Sequence, residues 1–402
     1  MRVTTAFNRL LQLPGATVGS VEFTDAGVVV EVRRRSRRLR CPCGWSTSAA
    51  YDRSRRRWRH LDLGVHKVIV VGEIRRLDCR RCGRVRTEQV QWARPGSRQT
   101  IAFEDQVAFL AQRMDRKSIS RLMRCAWQTV TDIVARVVAE HLDDGRLDGL
   151  VNLGVDEIGY RRGHQYLTIV ADHDSGRVVW VGKGKDSAAL TRFFDALGPD
   201  RRAQVRAVSM DMGRAYNKAV VDNIPDAAIC LDAFHLIKWT NEAMDAVFRE
   251  HSRGQAAKQW RKDRYLLRRG AEKLPGEQHQ QLTALRRKHR QVGRAHELKE
   301  SLRALFREVK PKDARRYLTR WIAAAQRSRL RPFVLLARRV RAHLEGILAT
   351  VRLGLSNSRL EGINAKIRLI NARAYGHHSV DSLAAMIYLV LGGITVKLPT
   401  ET

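Results

Sequence analysis

The first hundred residues alternate between short apolar stretches and polar, arginine-rich ones. Residues 18 to 34 have apolar side chains at every second position around an Asp25-Ala26-Gly27 turn, which predicts a β-hairpin. A Val- and Ile-rich run, His66 to Ile74, predicts another strand. Cysteine pairs follow or end these strands, Cys41 with Cys43 and Cys79 with Cys82. We therefore predict an N-terminal β element over residues 1–40 and a zinc ribbon-like unit over residues 41–97.

The apolar spacing becomes helical after the Pro95-Gly96-Ser97 turn. It predicts a helix over Phe103 to Met114, a short one over Ser118 to Arg124 and a longer one over Trp127 to His141. Two helices joined by a tight turn are typical of a helix-turn-helix, here residues 100–145. As a recognition helix, residues 127–138 would offer three polar side chains to base edges, those of Gln128, Thr129 and Asp132. A plain two-helix packing unit accounts for the same periodicity equally well.

Strand and helix patterns alternate through the middle of the chain. Strands are predicted over residues 151–155, 166–171, 178–182, 205–210 and 227–231, with helices over 188–197 and 214–223. Three strands in succession followed by helix-separated strands predict a mixed α/β sheet, the first part of a core over residues 149–240.

The chain becomes helical and strongly basic after this sheet. Residues 241–352 lack a strand pattern and are rich in Arg and Lys, which predicts a basic helical insertion. The last segment, residues 353–402, has a helix that begins at Ser358 and an apolar stretch, Leu383 to Val396. That stretch is shorter than a membrane span of about 20 residues, so we predict a buried helix or strand there.

The charge balance indicates a polyanionic partner. Lys and Arg number 75 against 41 Asp and Glu, a formal net charge of +34, which favours nucleic acid as the partner. The charge extends over the whole length, so a membrane surface is the weaker alternative. The start of the chain lacks the apolar core of a secretion signal, and we expect a cytoplasmic, nucleoid-associated protein.

Arginines are concentrated around the cysteines, with Trp45 and Trp58 between them. Contact with DNA phosphates and stacking on bases are the functions that this pattern favours; a solvated charged face is the alternative. The candidate DNA-contacting arginines are Arg55, Arg57, Arg80 and Arg81.

The cysteine pairs predict one structural zinc ion, because four thiolates bind Zn²⁺ tetrahedrally and stabilise a unit with little core. Cys79 and Cys82 have the usual two-residue spacing, whereas only one residue separates Cys41 from Cys43. Cys125 and Cys230 are expected to be ordinary buried thiols.

Three acidic residues are candidates for phosphoryl-transfer chemistry. Asp156 and Asp211 each directly follow a predicted strand, and Glu361 lies in the helix that begins at Ser358. Hard divalent ions such as Mg²⁺ take carboxylate oxygens, and two such ions can stabilise an in-line displacement at phosphorus. Each residue also has a structural alternative: Asp156 in a turn, Asp211 as a helix cap, and Glu361 in a capping box with Ser358.

The sequence around these acids resembles the ISL3 type of bacterial insertion-sequence transposases, which belong to the DDE class. The matching stretches are Leu153-Gly154-Val155-Asp156-Glu157, Ser209-Met210-Asp211-Met212 with Tyr216, Leu231-Asp232-Ala233-Phe234-His235, residues 356–367 (SNSRLEGINAKI) and Ala374-Tyr375-Gly376.

The resemblance implies an RNase H-like catalytic domain that is split by an all-helical insertion. In it Asp156, Asp211 and Glu361 would hold two Mg²⁺ or Mn²⁺ ions. It also implies a supporting position near the site for His235, for which packing at a helix start is the alternative.

The expected function is therefore a transposase. It would bind the terminal inverted repeats of its element, which are double-stranded DNA, through the zinc unit and the helix-turn-helix. It would then activate water to nick these ends, and the freed 3′-hydroxyl would attack target DNA. A homodimer or larger oligomer on DNA is expected. The alternatives are a non-catalytic DNA-binding regulator and an RNase H-like nuclease without strand transfer.

Overall fold

The computed structural model describes residues 2–161, 163–211, 214–374, 376–377 and 379–401. Contacts divide the chain into two compact units: Met1–Asp143 together with Arg373–Thr402, and Asp144–Ala372. Met212 and Tyr375, which belong to the stretches quoted above, lie outside the described residues.

The first unit opens with a helix, where the sequence predicted only β structure. Helix α1 (Val3–Leu11) buries Phe7 in the core of the following sheet. The strands are β1 (Ala16–Thr24), β2 (Gly27–Arg34), β3 (Leu39–Arg40), β4 (Ser46–Thr47), β5 (Asp52–Leu63), β6 (His66–Cys79) and β7 (Arg84–Thr87). The main sheet has the order β1-β2-β6-β5, with β7 paired to β6. The hairpin of β1 and β2 is antiparallel, as predicted, and pairs Val18 with Val32.

Strand β5 was not predicted, because its arginines obscure the alternating pattern of a strand. Side chains of a strand alternate between the two faces of the sheet, and here Trp58 and His60 are buried while Arg55 and Arg57 are exposed. The ring of Trp58 packs edge-on against Trp92, with centroids 5.5 Å apart. The expectation that Trp58 stacks on bases is therefore wrong, because its ring fills the core between sheet and loop.

Three helices follow the strands of the first unit: α2 (Ile101–Ala111), α3 (Arg116–Leu122) and α4 (Trp127–His141). The side chain of Thr100 caps α2 and that of Asp115 caps α3. Helix α4 buries Val130, Ile133 and Val137, which the helical spacing had placed on one face. A short 3-10 helix, Asp144–Leu147, follows.

The second unit is built on a five-stranded mixed sheet, as predicted. Its elements are β8 (Asn152–Arg161), β9 (Gln165–Asp172), β10 (Val178–Lys183), α5 (Ser187–Leu197), α6 (Pro199–Arg202), β11 (Ala207–Met210), α7 (Arg214–Asn223) and β12 (Ala228–Leu231). The order is β10-β9-β8-β11-β12, in which β8, β9 and β10 are antiparallel and β8, β11 and β12 are parallel. Leu153 and Val155 pack with Phe193 and Phe194 of α5 in the core of one face.

Strand β8 does not end before Asp156, as the sequence suggested. It continues to Arg161, and Asp156 pairs with Ile169 of β9. The purely apolar run stops at Val155, but Ile158 and Tyr160 keep one side of the strand buried. The structural alternative for Asp156, a residue that only shapes a turn, is therefore wrong.

Residues 241–352, all of which the structure describes, form helices and turns only, as predicted. The helices after the sheet are α8 (Ala233–His251), α9 (Ala257–Arg268), α10 (Gly276–Lys288), α11 (Arg290–Ala304), α12 (Pro311–Arg327), α13 (Arg331–Ala342) and α14 (Leu344–Leu353). They enclose a separate core that includes Phe248, Leu302, Trp321 and Phe333.

The chain ends with α15 (Ser358–Arg373) in the second unit and α16 (Val380–Leu391) in the first. Helix α16 packs against α4 and buries Leu383 and Ile387. Of the buried helix or strand that was expected for the apolar C-terminal stretch, the structure therefore shows a helix as far as Leu391, and residues 392–396 are not helical. Within the described residues, no helix combines the length and apolar character needed to cross a membrane.

Candidate active site

Three aspartates lie in a row at one edge of the mixed sheet. The parallel register pairs Val155 of β8 with Met210 of β11, and Met210 with Leu231 of β12. The next residue along the chain after each of these three is an aspartate: Asp156, Asp211 and Asp232. Parallel neighbours in register lie about 4.8 Å apart, so the register brings Asp156 and Asp211 side by side. This is the edge at which open α/β sheets place their sites.

Helix α15 is fastened across β8 and β11 by hydrogen bonds at two levels. Ser209 of β11 donates its hydroxyl hydrogen to Asn357 Oδ1 at 2.6 Å, and it also contacts His173 Nε2 at 2.6 Å. Seven residues further along the chain, Asn364 Nδ2 donates to Asp156 Oδ2 at 2.7 Å. Each strand that carries a candidate aspartate is thus tied to the same helix.

Close apolar packing lies between these two levels. Leu360 sits directly over Gly154, where an added Cβ would come within 2.8 Å of Leu360 Cδ1. Arg359 also donates to the backbone oxygen of His173. Gly154 therefore sets how closely α15 approaches the sheet.

Glu361 lies on the helical face that is tied to the sheet. Asn357 directly precedes α15, and residues 357, 361 and 364 are spaced by four and three positions, so they lie on one side of the helix. Its side chain is exposed, and among the described residues it has no hydrogen-bond or ion-pair partner. It does not reach back to Ser358, so the capping-box alternative is not realised.

His235 joins the aspartate row to helix α8. Asp232 caps α8 by accepting from Phe234 N, and its other oxygen lies 2.9 Å from His235 Nδ1. His235 Nε2 in turn lies 3.2 Å from Asp211 Oδ2. The hydrogen bond with Asp232, followed by the charge of Asp211, raises the pKa of His235.

The carboxyl groups at this edge of the sheet favour the binding of a cation. Burial, together with the charges of Glu157, Asp211 and Asp232, raises the pKa of Asp156 to about 6. Burial is also the main reason why the pKa of Glu157 is raised. Carboxylates that lie close together repel one another, and bound cations relieve this repulsion. This donor set of oxygen ligands suits a hard divalent ion.

The three candidate carboxylates do not form a close group of ligand atoms. Among the described residues, the cysteines are the only group of three or more potential ligands whose atoms all lie within 4.8 Å of one another.

The four paired cysteines converge in the first unit. The Sγ atoms of Cys41 and Cys82 are 3.8 Å apart, and those of Cys43 and Cys79 are 3.5 Å apart. Sulfur atoms around a tetrahedral zinc ion with bonds of about 2.3 Å would be about 3.8 Å apart. The shorter Cys41-Pro42-Cys43 spacing thus still brings both thiols to the cluster.

Backbone turns shape this cysteine cluster. Gly44 and Gly83 follow the two pairs with φ angles of +92° and +63°, which glycine adopts without strain. A backbone hydrogen bond from Trp45 lowers the pKa of Cys43 to about 6, whereas burial raises the pKa of Cys41 to about 12. Arg81 also donates to the backbone oxygen of Cys43, which links the two pairs.

The candidate DNA-contacting residues lie at the surface of the first unit. At the start of α4, Gln128 and Asp132 are exposed and hydrogen-bonded to each other at 2.9 Å, and Thr129 is half-buried. Arg80 is exposed beside the cysteine cluster. On β5, Arg55 pairs with Glu31 at 3.0 Å, so part of its charge is already compensated.

Sequence reasoning missed the residues that hold this site together. Asn357, Asn364, Ser209, His173 and Asp232 have no charge pattern or metal-ligand spacing that singles them out. One signal was present: Asp232 follows its strand as Asp156 and Asp211 follow theirs, and such a repeat predicts a shared sheet edge.

Comparison with known proteins agrees with this architecture. Residues 153–387, more than half of the chain, match the transposase model of the ISL3 family, a DDE family. Residues 88–138 match the helix-turn-helix domain of transposase family ISL3. The chain therefore belongs to the ISL3 family of DDE transposases, enzymes of phosphoryl transfer on DNA.

Two relatives show how far the similarity extends. The transposase for insertion sequence element IS1557 of Mycobacterium tuberculosis is 39% identical over 439 aligned residues, which cover 99% of this chain and 98% of the relative. The transposase for insertion sequence element IS1001 of Bordetella parapertussis is 29% identical over 350 residues, 84% of this chain and 85% of the relative. The similarity to the first relative thus extends over the cysteine cluster, the helix-turn-helix and the mixed-sheet core.

Proposed function

We propose that this transposase binds the terminal inverted repeats of its insertion sequence, nicks them to free 3′-hydroxyl ends and joins those ends to target DNA. Asp156, Asp211 and Glu361 are the proposed ligands of two Mg²⁺ or Mn²⁺ ions. The observation that carries the proposal is the parallel register that sets Asp156 beside Asp211, with Glu361 on the helix fastened over both strands.

Two divalent ions bound there would activate the attacking oxygen and stabilise the leaving one at the scissile phosphate. The residues of the chain supply the positions: the sheet fixes the two aspartates, and α15 presents Glu361. His235, oriented through Asp232, positions Asp211. No covalent bond between protein and DNA is required.

The first unit supplies the proposed DNA-binding modules. One zinc ion held by the cysteine cluster would fix Arg80 and Arg81 on its turn, while α4 would present Gln128, Thr129 and Asp132 to the major groove. Arg55 and Arg57 on β5 would contact phosphates. We propose that a homodimer or larger oligomer assembles on the two ends in the bacterial cytoplasm, at the nucleoid.

Carboxylate substitutions test the catalytic part. Asp156→Asn, Asp211→Asn and Glu361→Gln proteins should bind an element-end duplex nearly as tightly as the wild type. They should lose at least about a thousandfold in the rate of 3′-hydroxyl release in Mg²⁺, because each removes a metal ligand. Asp226→Asn, at an exposed residue of the turn before β12, is the matched control and should retain activity.

The same assay separates the alternatives. A wild-type protein that binds the duplex but cuts nothing in Mg²⁺ or Mn²⁺ would be a DNA-binding regulator. Cutting without joining to a target duplex would identify a nuclease instead.

A further inference from the structure

An arginine cleft lies in the helical insertion. It is formed at the corner between α10 and α11 and by the turn between α12 and α13, with a volume of about 960 Å³. We define this arginine cleft by the charged residues that line it: Arg286, Arg287, Arg290, Arg294, Glu297 and Arg329.

Most of this charge is uncompensated. Arg286 pairs with Glu297 at 2.6 Å. Arg287, Arg290, Arg294 and Arg329 are exposed, and among the described residues none of them has an ion-pair or hydrogen-bond partner. The sequence from Arg286 to Arg294 contains no Asp or Glu. The cleft therefore carries positive charge that no acidic side chain among the described residues neutralises.

The arrangement is unfavourable for the protein alone. Arg290 and Arg294 are four residues apart on one face of α11, where like charges repel. Arg290 is also in the first turn of α11, the positive end of the helix dipole, and that turn contains no acidic residue. A polyanion in the cleft would remove both costs.

The backbone of Arg329, in the turn between α12 and α13, is strained. Its φ of +60° lies in the left-handed region, which a non-glycine residue seldom adopts. The turn is held by buried Ser328, whose hydroxyl group donates to Ala325 O and accepts from Leu330 N. A glycine would suit this backbone better, yet the position carries an exposed guanidinium that lines the cleft.

We propose that the arginine cleft binds the phosphate backbone of duplex DNA, independently of base sequence. The proposal rests on the proposed function, which brings duplex DNA to this unit. Guanidinium groups match phosphate oxygens in geometry and charge, and spacings of one helical turn suit successive contacts along a strand. Helix α8 starts at the Asp232 cap and packs against α11, so one rigid helix connects the catalytic edge with a wall of the cleft.

The test is the salt dependence of binding by the full chain to a labelled duplex of arbitrary sequence, about 30 base pairs long. The triple variant Arg287→Gln, Arg290→Gln and Arg294→Gln removes three proposed phosphate contacts. Each contact contributes about 0.9 to the slope of log K against log salt, so the slope should fall by about 2 to 3. At about 0.1 M salt, affinity should fall on the order of a hundredfold.

A triple variant of equal charge loss is the matched control. Arg253→Gln, Arg320→Gln and Arg338→Gln remove exposed arginines of the same insertion that do not line the cleft. The slope should change by less than about 1, because general attraction falls but no phosphate contact is lost.

The Arg329→Gly variant removes one positive charge from the cleft without destabilising the fold. Glycine accepts the left-handed backbone, so the melting temperature should be unchanged or higher, while the slope should fall by about 1. A wild-type slope in both the triple cleft variant and Arg329→Gly overturns the inference. An affinity loss that affects only polyglutamate, an acidic-peptide probe, also overturns it.

The experiments can contradict the cleft proposal and the proposed function independently of each other. If the cleft variants keep the wild-type slope while the carboxylate variants stop nicking, the inference is wrong and the function stands. If the wild-type protein nicks nothing but the cleft variants lose their phosphate contacts, the function is wrong and the cleft remains a DNA-binding surface.

Discussion

Replacing Gly154 with alanine would test whether the close approach of α15 to the sheet matters for catalysis. The new Cβ would lie 2.8 Å from Leu360 Cδ1 and 3.0 Å from His173 Nε2. Ordinary carbon contacts begin near 3.5 Å, so helix and strand must separate by roughly 0.7 Å or Leu360 must change rotamer. The first response would move the segment that carries Glu361.

The size of the effect follows from this geometry. Overpacking of this kind costs about 1 to 3 kcal/mol, partly offset by about 0.4 to 1 kcal/mol from a less flexible unfolded chain. A shift of about 1 Å in a catalytic group can cost on the order of a hundredfold in rate. We therefore expect a modest loss of stability and a much larger loss of activity.

The assay compares urea unfolding with 3′-hydroxyl release from an element-end duplex in Mg²⁺. Gly159→Ala in the same strand is the control, since its Cβ would meet Tyr166 at an ordinary 3.7 Å and should leave activity near the wild-type level. Leu360→Ala should restore part of the activity of Gly154→Ala by making room for the methyl group. Wild-type nicking by Gly154→Ala would refute the reasoning.

Two further predictions concern the first unit. We expect about one zinc ion per chain by metal analysis, lost together with thermal stability in Cys79→Ser but retained in Cys125→Ser; a metal-free wild type would contradict the cluster's role. Burial lowers the pKa of His60 to about 4, so its contribution to stability is complete above its unfolded pKa of about 6.5 and is lost as the pH falls from there toward 4. Urea unfolding should show this acid loss, on the order of 3 kcal/mol, and His60→Leu should reduce it; an unchanged pH profile would argue against a neutral, buried imidazole.

Local patterns were sufficient wherever a segment's own side chains decide its structure. The helical spacing of Val130, Ile133 and Val137 predicted α4, and the apolar runs before Asp156 and Asp211 predicted two strands of the core sheet. The pattern failed in β5, because long arginine side chains on the solvent face hid a strand whose buried face is set by its partners. It also failed at residues 3–11, where helix α1 buries Phe7 against a sheet formed later in the chain.

The sequence by itself determined the chemistry that is available: oxygen ligands after apolar strands, paired thiols, and a large excess of positive charge. Only the tertiary structure decided which of these groups meet. The parallel register aligned Asp156, Asp211 and Asp232, and packing over Gly154 brought in a helix from about 150 residues downstream of Asp211. The physical reason is that strand register and helix docking depend on long-range contacts, which spacing along the chain does not specify.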